Sequence, residues 1–233
     1  VEAEQVAQID SKDMTHAIWQ TLAQRVAHHL ARPEVAGVVI THGTDTLEET
    51  AWFLQRVLAP CKPVVLTGAM RPATAREAAG PQNLSDAITV AREPGLSGVL
   101  AVLAGTVHDA GDVRKANPLR LEDAFASGDA GPLGVIAGGR LRWLRLRGDA
   151  AGSTAPGVPS SRSAAASHPA LSRPAADWPR VEIITSHAGA TGALVRALCA
   201  DGVDGIVVAA TGNGSVHREL QGALVVAQSG GVV

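Results

Sequence analysis

Tyrosine is absent from the 233 residues, and aromatic side chains make up only 3% of them. That scarcity removes the stacking platforms on which single-stranded nucleic acids are held. Cysteine is nearly as rare: Cys61 and Cys199 stand far apart and match no metal-ligand spacing. The plain reading makes both of them small buried hydrophobes. With no Cys/His cluster and no phosphate-cradling GxGxxG after the first strand, no metal and no organic cofactor is implied. Charge is also sparse, at 18% of residues with a net of -2, so electrostatics points to neither nucleic acid nor an anionic membrane. No apolar run reaches the roughly 20 residues of a membrane-spanning helix. Alanine, valine and glycine fill the space instead, which is the composition of a tightly packed globular α/β protein.

Strand and helix patterns alternate along the first part of the chain. VAGVVITHG reads as a strand, TLEETAWFLQRVL as a helix with Leu47, Ala51, Leu54 and Leu58 on one face, and VVLTGAM as a second strand. NLSDAITVAREP and SGVLAVLAG repeat the rhythm. Such βαβ units predict a larger N-terminal domain, residues 1–147, with a mainly parallel sheet and helices on both faces. Residues 148–177 are rich in Ala, Ser, Pro and Gly without periodicity and read as an interdomain linker. RVEIITSHAG, ATGALVRALCADG, VDGIVVAATGNG and HRELQGALVVAQSG then form a smaller α/β unit, residues 178–233, whose last two valines begin another strand. The chain starts on Val rather than Met and stops inside that strand, so it reads as truncated at both ends.

Parallel sheets bind ligands at the carboxyl ends of their strands. The threonine-rich knot Thr41-His42-Gly43-Thr44-Asp45-Thr46, the GAMRP stretch and GTVHDAGDVRK all fall at or past such ends. A threonine hydroxyl needs a nearby base, or a partner for its alkoxide, to become a nucleophile. Thr44 is the candidate hydroxyl, Lys115 a proton acceptor, and Asp45 a holder of a cationic group. Other readings of the same residues stand beside this one. Thr-Asp-Thr before a helix is a good N-cap, His42 could bond the backbone, and Lys115 could be a solvated surface charge. Ser11 and Asp13 could cap the helix carrying Ala17, Ile18, Leu22 and Val26.

The blocks EQVAQIDSKDM, VVITHGTDTLEETAWFL, KPVVLTGAMRP, GPQNLSDAITVA, VLAVLAGTVHDAGDVRKAN, GPLGVIAGGRL and DGVDGIVVAATGNG, in this order, resemble the bacterial L-asparaginases of the asparaginase/glutaminase family with its Thr-Lys-Asp arrangement. That resemblance implies hydrolysis of the side-chain amide of L-asparagine to L-aspartate and ammonia. It implies Thr44, Asp45 and Lys115 as catalytic residues, with Thr44 as nucleophile or activator of water and Lys115 as its proton partner. Asp45 would grip the α-amino group and Ser11 the α-carboxylate. The backbone of Ala69 would meet the side-chain amide, and the Thr44 N–H would help hold the oxyanion. A homotetramer is implied for the full-length protein. The lone Cys61 points toward a cytoplasmic location, although a removed leader peptide, and so a periplasmic one, would leave the same sequence.

Two departures matter. The family's Gly-rich first signature, with its threonine and lid tyrosine, has no counterpart here, so the chain by itself is expected to lack turnover. Lys12, next to Ser11, could draw a substrate carboxylate or point into solvent, which leaves the choice between asparagine and glutamine open. Two alternatives remain: the amidase component of a tRNA-linked amidotransferase, and a non-catalytic asparagine-binding protein.

Overall fold

A computed structural model describes residues 1–71, 74–120, 123–145 and 168–233. The chain divides into two units, Val1–Ala176 and Asp177–Val233.

In the first unit, helix α1 (His16–Leu30) buries Leu22, Ala23 and Val26. Its N-cap is Thr15, whose hydroxyl accepts the Ile18 N–H at 3.3 Å. Ser11 and Asp13 are not the cap; they form a separate single turn of 3-10 helix upstream. Strand β1 (Val38–Thr41) leads into α2 (Leu47–Leu58), which buries Leu47, Thr50, Ala51, Leu54, Val57 and Leu58. Strand β2 (Pro63–Thr67), α3 (Gly80–Ala91) and β3 (Gly98–Leu103) follow. Strands β1, β2 and β3 pair in parallel, as the βαβ rhythm predicts. Alternate side chains along the buried strands face opposite layers. Val64, Leu66, Val99 and Ala101 pack with α1 and α2, whereas Val65, Leu100 and Val102 pack with α3. Helices therefore cover both faces of this sheet.

The sheet continues by antiparallel pairing. Leu103 and Thr106 face each other across a two-residue turn, Ala104-Gly105, with both residues at positive φ. That geometry folds a strand back on itself. Residues Thr106–Asp109, which read as part of a loop beyond a strand end, are thus strand β4. After β5 (Arg114–Lys115) and β6 (Phe125–Ala126) come β7 (Gly134–Ala137) and β8 (Arg140–Trp143), giving the sheet order β1-β2-β3-β4-β7-β8. The β5–β6 hairpin stands apart as its own two-stranded sheet.

Most of the expected linker, residues 148–167, lies outside the described residues. Its remainder does not hang free. Helix α4 (Pro169–Ser172) follows there, and the Gln20 and Gln24 side chains of α1 donate to the carbonyls of Ala170, Leu171 and Arg173 at 2.6–2.9 Å. The second unit pairs β9 (Val181–Thr185) in parallel with β10 (Gly205–Ala209) and packs α5 (Ala193–Ala200) and α6 (Arg218–Ser229) around Ile184, Val195 and Leu220. Val233 exchanges main-chain hydrogen bonds with Asp204 and Ile206 beside β10, whereas the Val232 N–H returns to Ala227 O, so the two terminal valines do not form a strand of their own. Neither cysteine is deeply buried. Cys61 is exposed in the turn between α2 and β2, where the chain reverses over the surface, and Cys199 is half-buried. Among the described residues, no helix is long and apolar enough to cross a membrane.

His108, on β4, is buried to 2% exposure and bonds Ser127 Oγ at 2.7 Å. Burial lowers its pKa from 6.5 to about 4. The unfolded chain therefore takes up a proton as pH falls through 6.5 while the folded chain does not. The resulting stability is complete above pH 6.5 and declines toward pH 4, by up to about 3 kcal/mol. Urea unfolding at pH 7 and pH 4.5 is expected to show a smaller acid loss, by about 2 kcal/mol, in His108→Gln than in the parent. Equal losses would show that His108 titrates at its ordinary value.

Candidate active site

The knot between β1 and α2 is held from both sides. The ladder between β1 and β2 runs one residue beyond the strands, because the His42 N–H donates to Thr67 O at 2.8 Å. Beyond it, Ser11 closes over the turn. Its Oγ accepts the Asp45 N–H at 3.1 Å, and its carbonyl accepts the Thr46 hydroxyl at 2.7 Å. Thr46 occupies the N-cap position of α2 but makes no cap bond; its hydroxyl donates to the Ser11 carbonyl. Ser11 is only 4% exposed. Glycine is required beneath it: a Cβ on Gly43 would lie 2.5 Å from Ser11 Oγ. A Cβ on Gly68 would lie 2.4 Å from His42 O and 3.4 Å from Thr44 Cγ2. The stretch after β2 that carries Ala69 therefore runs directly against the knot.

A partly buried chain of hydrogen bonds sets the state of His42. Trp19 Nε1, which can only donate, reaches Thr50 Oγ1 at 2.7 Å. Thr50 then has its own proton for His42 Nε2, 3.0 Å away. The other ring nitrogen, Nδ1, meets Gly43 O at 2.6 Å and must carry the hydrogen. The network thus assigns a neutral imidazole with its proton on Nδ1. Burial favours the same state, pushing the His42 pKa down against the opposing pull of the Gly43 carbonyl. Trp19 is itself fixed by stacking on Phe53, with ring centroids 5.1 Å apart. His42 does what a backbone-bonding histidine would do: it fixes the Gly43–Thr44 peptide.

Lys115 enters from the β5–β6 hairpin. Its Nζ donates to Thr44 Oγ1 at 3.0 Å and to Asp45 Oδ1 at 2.6 Å, and its side chain is 17% exposed. It is not a solvated surface charge. Asp45 is 51% exposed, so its carboxylate faces the opening. The hairpin is tied down on one side by the Lys115 N–H, which donates to Glu48 Oε2. On the other side, Arg145 holds Asp112 at 2.6 Å. Sequence reading did not single out Glu48, since a glutamate in a first helical turn is ordinary there.

The structure thus brings Ser11, Thr44, Asp45 and Lys115 together, with the Ala69 segment beside them. Lys12 takes no part: its ammonium pairs with Asp10 at 2.8 Å and Asp13 at 3.2 Å and is 60% exposed. A cavity of about 200 Å³ lies nearby, lined by Met70, Arg71, Asn83, His108 and Phe125 among others, but Thr44, Asp45 and Lys115 are not in its wall. No group of acidic, histidine or cysteine side chains able to hold a metal occurs among the described residues. Chemically, the cluster offers a hydroxyl with a lysine nitrogen at hydrogen-bond distance, and an open carboxylate for a cation. Thr50→Val should leave the Trp19 N–H and His42 Nε2 unpartnered in the interior. It is expected to cost about 1–3 kcal/mol in chemical denaturation, against less than about 1 kcal/mol for Thr50→Ser.

Residues 1–147 match the family model for the asparaginase N-terminal domain, and residues 180–233 match the glutaminase/asparaginase C-terminal domain. The chain is 37% identical to L-asparaginase 2 of Escherichia coli over 99% of its own length and 62% of that protein. It is also 37% identical to the glutaminase-asparaginase of Pseudomonas fluorescens, over 96% of this chain and 58% of the relative. It therefore spans about three fifths of the curated relatives it matches. The crystal structure of the "Probable Cytoplasmic L-asparaginase" of Campylobacter jejuni superposes with a TM-score of 0.85 at 36% identity, covering 98% of this chain and 71% of that one. Matched by the N-terminal model over most of its length and by the C-terminal model over its end, the chain belongs to the asparaginase family.

Proposed function

We propose that the protein hydrolyses the side-chain amide of L-asparagine to L-aspartate and ammonia. The observation that carries this reading is Lys115 Nζ standing 3.0 Å from Thr44 Oγ1 and 2.6 Å from Asp45 Oδ1. In the proposed reaction the Thr44 hydroxyl attacks the amide carbon, and its proton passes to Lys115 Nζ, which enters this step having given up one of its own protons. The Oγ–carbon bond forms as the amide π pair moves onto oxygen. Lys115 then returns the proton to the leaving nitrogen, the carbon–nitrogen bond breaks, and ammonia departs. Water attacks the resulting ester with the same pair relaying its proton, which frees aspartate and restores Thr44.

The remaining groups suit an amino-acid substrate. Asp45 has one oxygen on Lys115 and a second for the α-ammonium. Ser11 Oγ accepts from the Asp45 amide and still has a proton to donate to the α-carboxylate. In this reading the Thr44 N–H, on the peptide whose Gly43 carbonyl His42 holds, would help hold the oxyanion. The backbone at Ala69 would meet the carboxamide. The knot is dense because the substrate carries both charges close to its reacting amide.

Further parts of the proposal rest on the names of relatives and on the sequence reading. One is named a glutaminase-asparaginase, so glutamine belongs in the assay beside asparagine. The protein from Campylobacter jejuni is named cytoplasmic, whereas one from Haemophilus influenzae is named periplasmic. A cytoplasmic homotetramer is our reading for the full-length protein, and residues 1–147, 148–177 and 178–233 are its catalytic domain, linker and the start of its second domain.

Ammonia release from asparagine by the full-length protein is the direct test. Lys115→Met is expected to lower kcat about 10² to 10⁴-fold with the fold retained. Asp45→Asn is expected to raise KM for asparagine in addition to lowering kcat. Calorimetric heat on adding asparagine without ammonia release would instead identify a binding protein.

A further inference from the structure

We infer that Glu48 is a positioning residue for Lys115. Its carboxylate, held at the start of α2, accepts the Lys115 main-chain N–H and so sets where the lysine nitrogen stands relative to Thr44. The inference rests on the proposed role of Lys115.

Lys115 lies on a two-residue strand whose ladder is with β6 alone, Lys115 opposite Phe125. Among the described residues that hairpin belongs to no larger sheet. The Ala116 and Asn117 N–H groups turn toward Ala124 O, on the β6 side. The Lys115 N–H faces the other way, along an open strand edge, and Glu48 closes that edge. Among the described residues, the hydrogen bonds that cross from Lys115 to the knot and α2 are this one and the two from Nζ. A lysine side chain is a flexible four-carbon stem, so bonds from its tip alone leave the backbone free to wander. A main-chain anchor at the same residue removes that freedom. The acceptor is a carboxylate, which makes a shorter and stronger bond to an N–H than a neutral oxygen does.

The placement of Glu48 adds to the argument. Thr44 and Asp45 lie just ahead of α2, and Glu48 is in its first turn. Hydroxyl, carboxylate and lysine anchor are therefore all referenced to one helix start, itself fixed by Ser11 through Asp45 and Thr46. The ordinary reading of an acid in a first turn is compensation of the helix dipole. Glu49 in the same turn is exposed and could serve that purpose, whereas Glu48 is half-buried with its carboxylate on Lys115. On the far side, the Arg145–Asp112 pair holds the approach to the strand, which leaves Glu48 to set its near edge.

The test compares Glu48→Ala and Glu48→Gln with the parent in the full-length protein. Hydrogen exchange of the segment spanning residues 111–117 should quicken in Glu48→Ala and stay near the parent in Glu48→Gln, which keeps an acceptor oxygen. Asparagine hydrolysis should lose about tenfold to a hundredfold in kcat in Glu48→Ala with KM within about threefold, and recover to within about threefold in Glu48→Gln. Should Glu48→Ala not fold, Glu48→Asp, whose carboxylate is withdrawn by one methylene, makes the same comparison. Unchanged exchange in the Ala or Asp variant would overturn the inference, as would a Gln variant as impaired as Ala in both readouts. A parent protein that releases no ammonia would sink the proposed function alone, and the exchange comparison would still decide the role of Glu48.

Discussion

A lysine nitrogen withdrawn from bulk water must find acceptors, or the cost of burying it goes uncompensated. Lys115 finds two, the Thr44 hydroxyl and the Asp45 carboxylate, and the rest of the site is arranged to make that meeting possible. The three groups come from segments some seventy residues apart in the chain. Thr44 and Asp45 stand at the end of the parallel half of the sheet, and Lys115 on a hairpin outside the sheet altogether. The hairpin is tied through Glu48 and Asp112, and the knot through Ser11, Thr46 and the Gly43 carbonyl.

These ties also explain why so many polar side chains in this region do not perform their commonest local jobs. Thr46 gives its hydroxyl to Ser11 rather than to the helix end, and Ser11 receives the Asp45 amide rather than capping α1. Thr50, at the centre of a helix face, joins Trp19 to His42. A reacting site gains from groups already in place before the substrate arrives, since little reorganisation remains to be done during the reaction. The neutral His42 fits that picture. It contributes no charge and fixes a peptide plane.

Both matched family segments are present in this chain. Within the described residues the cluster is a feature of the first unit. Its opening is lined by Asp45 rather than by the nearby cavity, and Lys12, adjacent to Ser11 in sequence, turns to Asp10 and Asp13.

The sequence by itself determined the α/β class, the parallel strands β1 to β3, and the helices between them, because those depend on hydrophobic period and on breakers such as the Pro60-Cys61-Lys62-Pro63 turn. Its family blocks also marked Ser11, Thr44, Asp45, Ala69 and Lys115. It did not show that Thr106–Asp109 folds back as a strand, because the Ala104-Gly105 turn carries only a single glycine as its signal. Nor could it show that residues 168–176, read as linker, pack on α1, because their anchors are two glutamines roughly 150 residues upstream. Only the tertiary structure decided which hydroxyl caps a helix, which serine closes the knot and which glutamate holds the lysine. Those choices are made by distances between residues remote in sequence, and local pattern contains no information about such distances.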